Sequence, residues 1–151
     1  EAPLAALKTL LKIHYEKRPE SYESLVKSET ENLIIDRALG FCPGCPHRAS
    51  FWSIKNALAK DGRQGVVTGD IGCYAMSMWP SGYQEAKTLQ AMGSGAGVAA
   101  GMGILGPMGK TQPVIAVCGD STFFHAAIPA LINARFNASS FVMIIMDNSA
   151  T

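Results

Sequence analysis

Residues 114–148 read VIAVCGD, then STFFHAAIPALINARFNASS, then FVMIIMDN, and this stretch decides the fold. Residues 114–117 and 141–146 are unbroken apolar runs, the pattern of parallel strands covered on both faces rather than of a half-exposed alternating sheet. Between them Phe123, Ile128, Leu131, Ile132 and Phe136 recur at near-helical spacing. The unit therefore reads as strand, crossover helix, strand.

In such a unit both strand C-termini lie on one edge of the sheet, which places Gly119, Asp120 and Ser121 beside Asp147 and Asn148. That edge is where open α/β sheets bind ligands. Gly119 lets backbone approach an anion closely, Asp120 offers a hard carboxylate oxygen and Asn148 a neutral amide oxygen. A helix beginning near Thr122 aims free N–H groups at the same point. One carboxylate, one amide and a helix N-terminus suit Mg²⁺ carrying a diphosphate.

Two further stretches carry chemistry. Residues 41–48 read FCPGCPHR; Pro43, Gly44 and Pro46 force a turn that brings the thiols of Cys42 and Cys45 to one side, as a metal or an iron–sulfur cluster requires. A helix over 49–60, with Phe51, Ile54 and Leu58 on its buried face, places His47 and Arg48 at its start, where they can meet an anion. A short strand over 66–68 ends in Gly69-Asp70-Ile71-Gly72-Cys73-Tyr74. This is a second strand-end turn with glycines, and so a second candidate for the ligand edge.

Gly119-Asp120 followed 28 positions on by Asn148 (148 − 120) resembles the metal and diphosphate motif of thiamine-diphosphate enzymes. The resemblance implies that Asp120, Asn148 and the carbonyl of Ala150 ligate Mg²⁺. The common motif has Gly where this chain has Ser121. CPGCPHR, GDIGCY and GDSTFFH, in this order, are similar to the α-subunit family of indolepyruvate:ferredoxin oxidoreductases, from about residue 40 onward.

The fold implied is a three-layer α/β domain with a mostly parallel sheet that binds the Mg-diphosphate end of thiamine diphosphate and lacks its final strands. Its cofactor-binding residues would be Gly69, Asp70, Ile71, Gly72, Cys73, Gly119, Asp120, Ser121, Thr122 and Asn148, with His47 catalytic. The activity implied is oxidative decarboxylation of aryl 2-oxoacids such as indolepyruvate. Electrons pass to ferredoxin and the acyl group to coenzyme A. The aminopyrimidine end of the cofactor, and the glutamate that activates it, would come from a different domain or subunit, so the isolated chain is expected to be inactive.

In related β subunits a C-x-x-C, a third Cys after a strand and a late fourth Cys look like [4Fe–4S] ligands. Cys42, Cys45 and Cys73 match the first three, while Cys118, ending an apolar strand, reads as a small core residue. A redox pair or half a zinc site is the alternative for the C-x-x-C. Alternatives for the whole are a β-subunit-type 2-oxoacid oxidoreductase, a non-redox thiamine decarboxylase or carboligase, and an inactive scaffold.

The rest of the sequence sets bounds. A chain of 151 residues can hold one domain with a real core. Thirteen basic and twelve acidic residues leave a net charge of +1, no electrostatic footprint for nucleic acid or an anionic membrane. Apolar runs are strand-sized and no signal-peptide layout opens the chain, so a cytoplasmic protein with free thiols is expected. Residues 1–32 read as an N-terminal helix, with Leu4, Leu7, Leu11 and Tyr15 on one face, followed by a linker or exposed helix. Residues 33–151 form the cofactor domain.

Gly109-Lys110-Thr111 lacks the earlier glycine of a P-loop, where Ile104 stands. Gly95, Gly97 and Ala100 fit a dinucleotide pattern, but no clear strand precedes them. Gly93, Gly97 and Gly101 instead share a helix face suited to close packing of a partner.

Overall fold

The computed structural model describes residues 2–12, 14, 19, 21–33, 35 and 38–149. The chain divides into two compact units, Glu1–Ala38 and Leu39–Thr151, six residues beyond the boundary expected from composition. The first unit holds α1 (Ala2–Leu11) and α2 (Tyr22–Thr30). Leu4, Leu7 and Leu11 are all exposed and α2 buries nothing, so 22–30 is an exposed helix rather than linker; Tyr15 lies outside the described residues. Among the described residues no helix is long and apolar enough to cross a membrane.

The second unit is built on four parallel strands, β1 (Val66–Gly69), β2 (Ala86–Leu89), β3 (Val114–Gly119) and β4 (Val142–Met146), in the order β2-β1-β3-β4. The sheet is wholly parallel, where the sequence suggested mostly parallel. Side chains of β3 alternate between two cores. Ile115 and Val117 join Val67, Phe51 and Ile54 on the side of α3 (Pro46–Asp61). Val114, Ala116 and Cys118 face Ala96 and Ala99 of α4 (Ser94–Gly103). Both cores exclude water from the same strand, as its unbroken apolar sequence requires. The small residues on the α4 side let that helix lie close enough for Thr68 Oγ1 to donate to the Gly95 carbonyl at 2.8 Å.

Helix α3 begins three residues earlier than its apolar periodicity shows, because Pro46 at the first helical position has its φ already set and needs no N–H acceptor. It stops at Gly62, whose φ of 74° supplies the left-handed cap.

The crossover after β3 is one helical run with a fault in it: α5 (Asp120–Thr122), a π turn (Phe123–Ala127) and α6 (Ile128–Phe136). It starts two residues before the expected Thr122, so Asp120 sits inside its first turn. Pro129 cannot donate to the carbonyl of His125 and its ring crowds that carbonyl; widening of the preceding turn relieves both. The wider turn rotates the C-terminal part of the run. Ala127 and Ala134 reach the interior, while Ile132 and Phe136, two of the apolar residues whose spacing marked the helix, are exposed at 65% and 89%. Strand β4 also departs from the expectation of strands covered on both faces: with β3 its one neighbour in the sheet among the described residues, Val142 and Ile145 stay exposed.

Strand β2 was not foreseen. Its sequence AKTL buries one residue fully, Ala86, and sits at a sheet edge, too short and too polar to show a pattern. Its presence removes the ground on which the dinucleotide motif was set aside. A better ground replaces it: a Cβ at Gly95 would lie 3.1 Å from the Gly69 carbonyl carbon, so this glycine serves packing inside the protein. Gly97 and Gly101 meet nothing within 4 Å.

A contrast between glycines tests the packing. At Gly82 a Cβ would strike the Met76 carbonyl oxygen and lie 2.5 Å from Ser77 Cα, all backbone. Gly82→Ala is expected to destabilise by about 1–3 kcal/mol or more, whereas Gly97→Ala in open space gains roughly 0.5–1 kcal/mol. Thermal melts of the two variants in opposite directions are the expected result.

Candidate functional site

In the order β2-β1-β3-β4 the connection leaving β1 turns one way and that leaving β3 the other, and a crevice opens between their C-terminal ends. A cleft of about 230 Å³ lies there. It gathers residues far apart in sequence: His47 from the start of α3, Ile71, Gly72 and Cys73 after β1, Gly119, Asp120, Ser121 and Thr122 after β3, and Asn148 after β4. Tyr74, Met92 and Met146 also line it and were not singled out from sequence. Tyr74 stood within a motif already recognised, but Met92 follows the strand that the sequence concealed.

The Asp120 carboxylate decides what the cleft can hold. Its Oδ1 is buried without a hydrogen-bond partner among the described residues, and a buried unsatisfied carboxylate oxygen is costly unless a cation or donor meets it. Asn148, whose side chain carries a neutral amide oxygen, lines the same cleft. The first turn of the helical run, whose amides have no intrahelical acceptor, begins at Asp120 itself. Two hard oxygen donors with anion-binding amides beside them fit Mg²⁺ and a diphosphate. Ala150, the remaining ligand suggested by sequence, lies outside the described residues.

Asp70 looks like Asp120 in sequence and is used differently. It is fully buried, it does not line the cleft, and it accepts the N–H groups of Gly93 (2.8 Å) and Gly95. Burial pushes its carboxyl above the ordinary value, and those N–H groups offset part of the rise. Asp70 therefore fastens α4 to the end of β1. Gly69, the last residue of that strand, is equally outside the cleft lining.

His47 is 6% exposed and stands edge-on to the rings of Phe41 and Tyr74. Arg48, expected beside it at the anion, instead donates to the Phe41 carbonyl at 3.1 Å and is not part of the cleft.

Among the described residues no three His, Cys, Asp or Glu side chains form a metal-holding group, so Cys42, Cys45 and Cys73 are not assembled as a cluster site. Cys42 and Cys73 are exposed, Cys45 is half-buried and Cys118 is buried. Burial, then the charges of Asp70 and Asp120, push the Cys118 thiol up to about 11 from 9.0. That leaves about a hundredfold less thiolate, the reactive form, near neutral pH. Alkylation of the native protein is expected to label Cys42 and Cys73 quickly and Cys118 after unfolding only; peptide mapping of the adducts checks this.

Residues 70–151 match the family model described as thiamine pyrophosphate enzyme, C-terminal TPP binding domain. The chain is similar to curated proteins named indolepyruvate oxidoreductase subunit IorA. That of Methanothermobacter marburgensis is 42% identical over 121 residues, covering 78% of this chain and 19% of the relative. That of Pyrococcus horikoshii is 34% identical over 149 residues (92% and 22%), and that of Archaeoglobus fulgidus 37% over 138 residues (89% and 21%). The chain thus spans about a fifth of the length of these relatives. No solved structure matches it significantly.

Proposed function

Because this chain belongs to the C-terminal TPP binding domain family of thiamine pyrophosphate enzymes, we propose that it supplies the Mg²⁺-diphosphate half of the cofactor site in an indolepyruvate-type 2-oxoacid:ferredoxin oxidoreductase. The observation that carries the reading is the Asp120 oxygen, unpartnered among the described residues, in a cleft shared with Asn148. In this reading Asp120 is the charged protein ligand, Asn148 and the Ala150 carbonyl are neutral ligands, and diphosphate oxygens and water fill the other positions. The amides of residues 120–122 and the Ser121 hydroxyl receive the diphosphate charge, while Gly119 keeps the backbone close to it. Ile71, Gly72 and Cys73 form the opposite wall.

When bound, thiamine diphosphate supplies the carbon nucleophile needed to decarboxylate a 2-oxoacid. His47, held by aromatic neighbours at the cleft wall, donates an imidazole N–H to the substrate carboxylate. No electron step is assigned to Cys42, Cys45 and Cys73. Two further parts complete the proposal: a pyrimidine-binding domain or subunit, docking on the open Gly97 and Gly101 face of α4, and ferredoxin and coenzyme A as cytoplasmic acceptors.

The test is indolepyruvate- and coenzyme A-dependent reduction of ferredoxin by the complete enzyme, with the isolated chain silent. The unassembled cysteines favour one second reading, a non-redox thiamine decarboxylase or carboligase. Release of CO₂ without reduction of ferredoxin would select it.

A further inference from the structure

We propose that Tyr74 is a positioning residue that fixes the turn carrying Gly119 and Asp120 against the turn that ends β1, and so sets the geometry of the Mg²⁺-diphosphate site. The inference rests on the function proposed above and extends it to a residue that holds the site from beneath.

Tyr74 leaves β1 in the 3-10 turn Cys73–Met78 and is 6% exposed. Its ring lies between the backbones of two glycines, one from each turn. A Cβ at Gly72 would sit 2.6 Å from Tyr74 Cε1, and one at Gly119 would sit 3.2 Å from Cε1 and 3.3 Å from the hydroxyl. The hydroxyl donates to the Ile71 carbonyl at 3.1 Å. The hydroxyl end of the ring thereby sits against the backbone of the Gly119 turn as well. The ring also meets His47 edge-on, with centroids 6.1 Å apart. One side chain thus contacts all three walls of the cleft: the β1 turn, the β3 turn and the start of α3.

Asp120 follows Gly119 directly, so the placement of its carboxylate depends on where this turn rests. Mg²⁺ demands near-ideal octahedral geometry at about 2.0–2.1 Å, and a displacement of a few tenths of an ångström already departs from a sound site. The polar end of Tyr74 therefore governs metal geometry without touching the metal. The ring alone fills the space between the glycines. That division separates the two roles experimentally.

Tyr74→Phe keeps the ring and removes the hydroxyl. Two quantities are measured on wild type and variant: affinity for thiamine diphosphate at saturating Mg²⁺ by titration calorimetry, and amide hydrogen exchange of residues 119–122 without cofactor. The expected result is about tenfold weaker binding, faster exchange at 119–122, unchanged exchange in β1 and β3, and a melting temperature close to wild type. If wild type itself binds no cofactor, the proposed function fails, and the exchange comparison still decides the role of Tyr74. Equal affinity and equal exchange in the variant would overturn the inference while leaving the function intact. A uniform loss of protection across β1 and β3 would also overturn it, by reducing Tyr74 to core packing.

Discussion

Asp120→Asn is expected to weaken Mg²⁺-dependent binding of thiamine diphosphate by about a hundredfold. The substitution preserves shape and removes the charged donor the cleft offers the ion, since Asn148 is neutral. Loss of groups that merely support metal ligands costs about 10–100-fold, so loss of a ligand's charge belongs at the upper end. Without it the diphosphate faces only the amides of the first helical turn, a contribution of roughly 0.3–2 kcal/mol. Stability without cofactor should move the other way or stay level. The buried Oδ1 has no partner among the described residues, and an orphaned oxygen of this kind costs about 1–3 kcal/mol, against roughly 0.3–1 kcal/mol gained from a carboxylate in a first helical turn. Calorimetry at matched Mg²⁺ and a melt without cofactor read the two effects separately.

Asp70→Ala should have the opposite signature, a large loss of stability through the fold rather than through the ligand. It removes the shared acceptor of the Gly93 and Gly95 N–H groups, the first part-buried and the second buried. Each buried donor left unpaired costs about 1–3 kcal/mol, so the pair threatens a sizeable part of the ~5–15 kcal/mol that holds a domain together. A fall in melting temperature of about 10 °C or more is expected. Asp70→Asn, which keeps one acceptor oxygen but turns an N–H₂ toward a donor, should fall between alanine and wild type. A melt of Asp70→Ala at the wild-type temperature would show that α4 is not fastened in this way.

The two aspartates mark how far the sequence could be read. Both come after a strand and a glycine, in Gly69-Asp70-Ile71 and Gly119-Asp120-Ser121, and local pattern assigns both to the ligand. What separates them is a helix N-terminus that reaches Asp70 from residues 93–95 and none that reaches Asp120 from outside its own helix. That meeting depends on β2, whose four residues carry too little hydrophobic pattern to be seen. Strand β3 was readable because both its faces are buried and its sequence says so. The helix after it was readable in place but not in facing, because the π turn before Pro129 shifts the phase that a uniform 3.6-residue period assumes. The cleft itself was largely readable. Strand-end turns in a parallel sheet must share an edge, and that placed Ile71, Gly72, Asp120 and Asn148 together before their distances were known. Cys42, Cys45 and Cys73 matched a ligand spacing, yet spacing along a chain does not bring thiols to one point.

The central claim is that this cleft holds the diphosphate of thiamine diphosphate through a metal bound by Asp120. Titration of the protein with thiamine diphosphate, once with Mg²⁺ and once with the ion chelated, tests it most directly. Saturable binding with Mg²⁺, lost on chelation and weakened about a hundredfold in Asp120→Asn, is the result expected. Binding that is absent in both titrations, or identical in both, would contradict the claim and leave Asp120 as the first residue of a helix and nothing more.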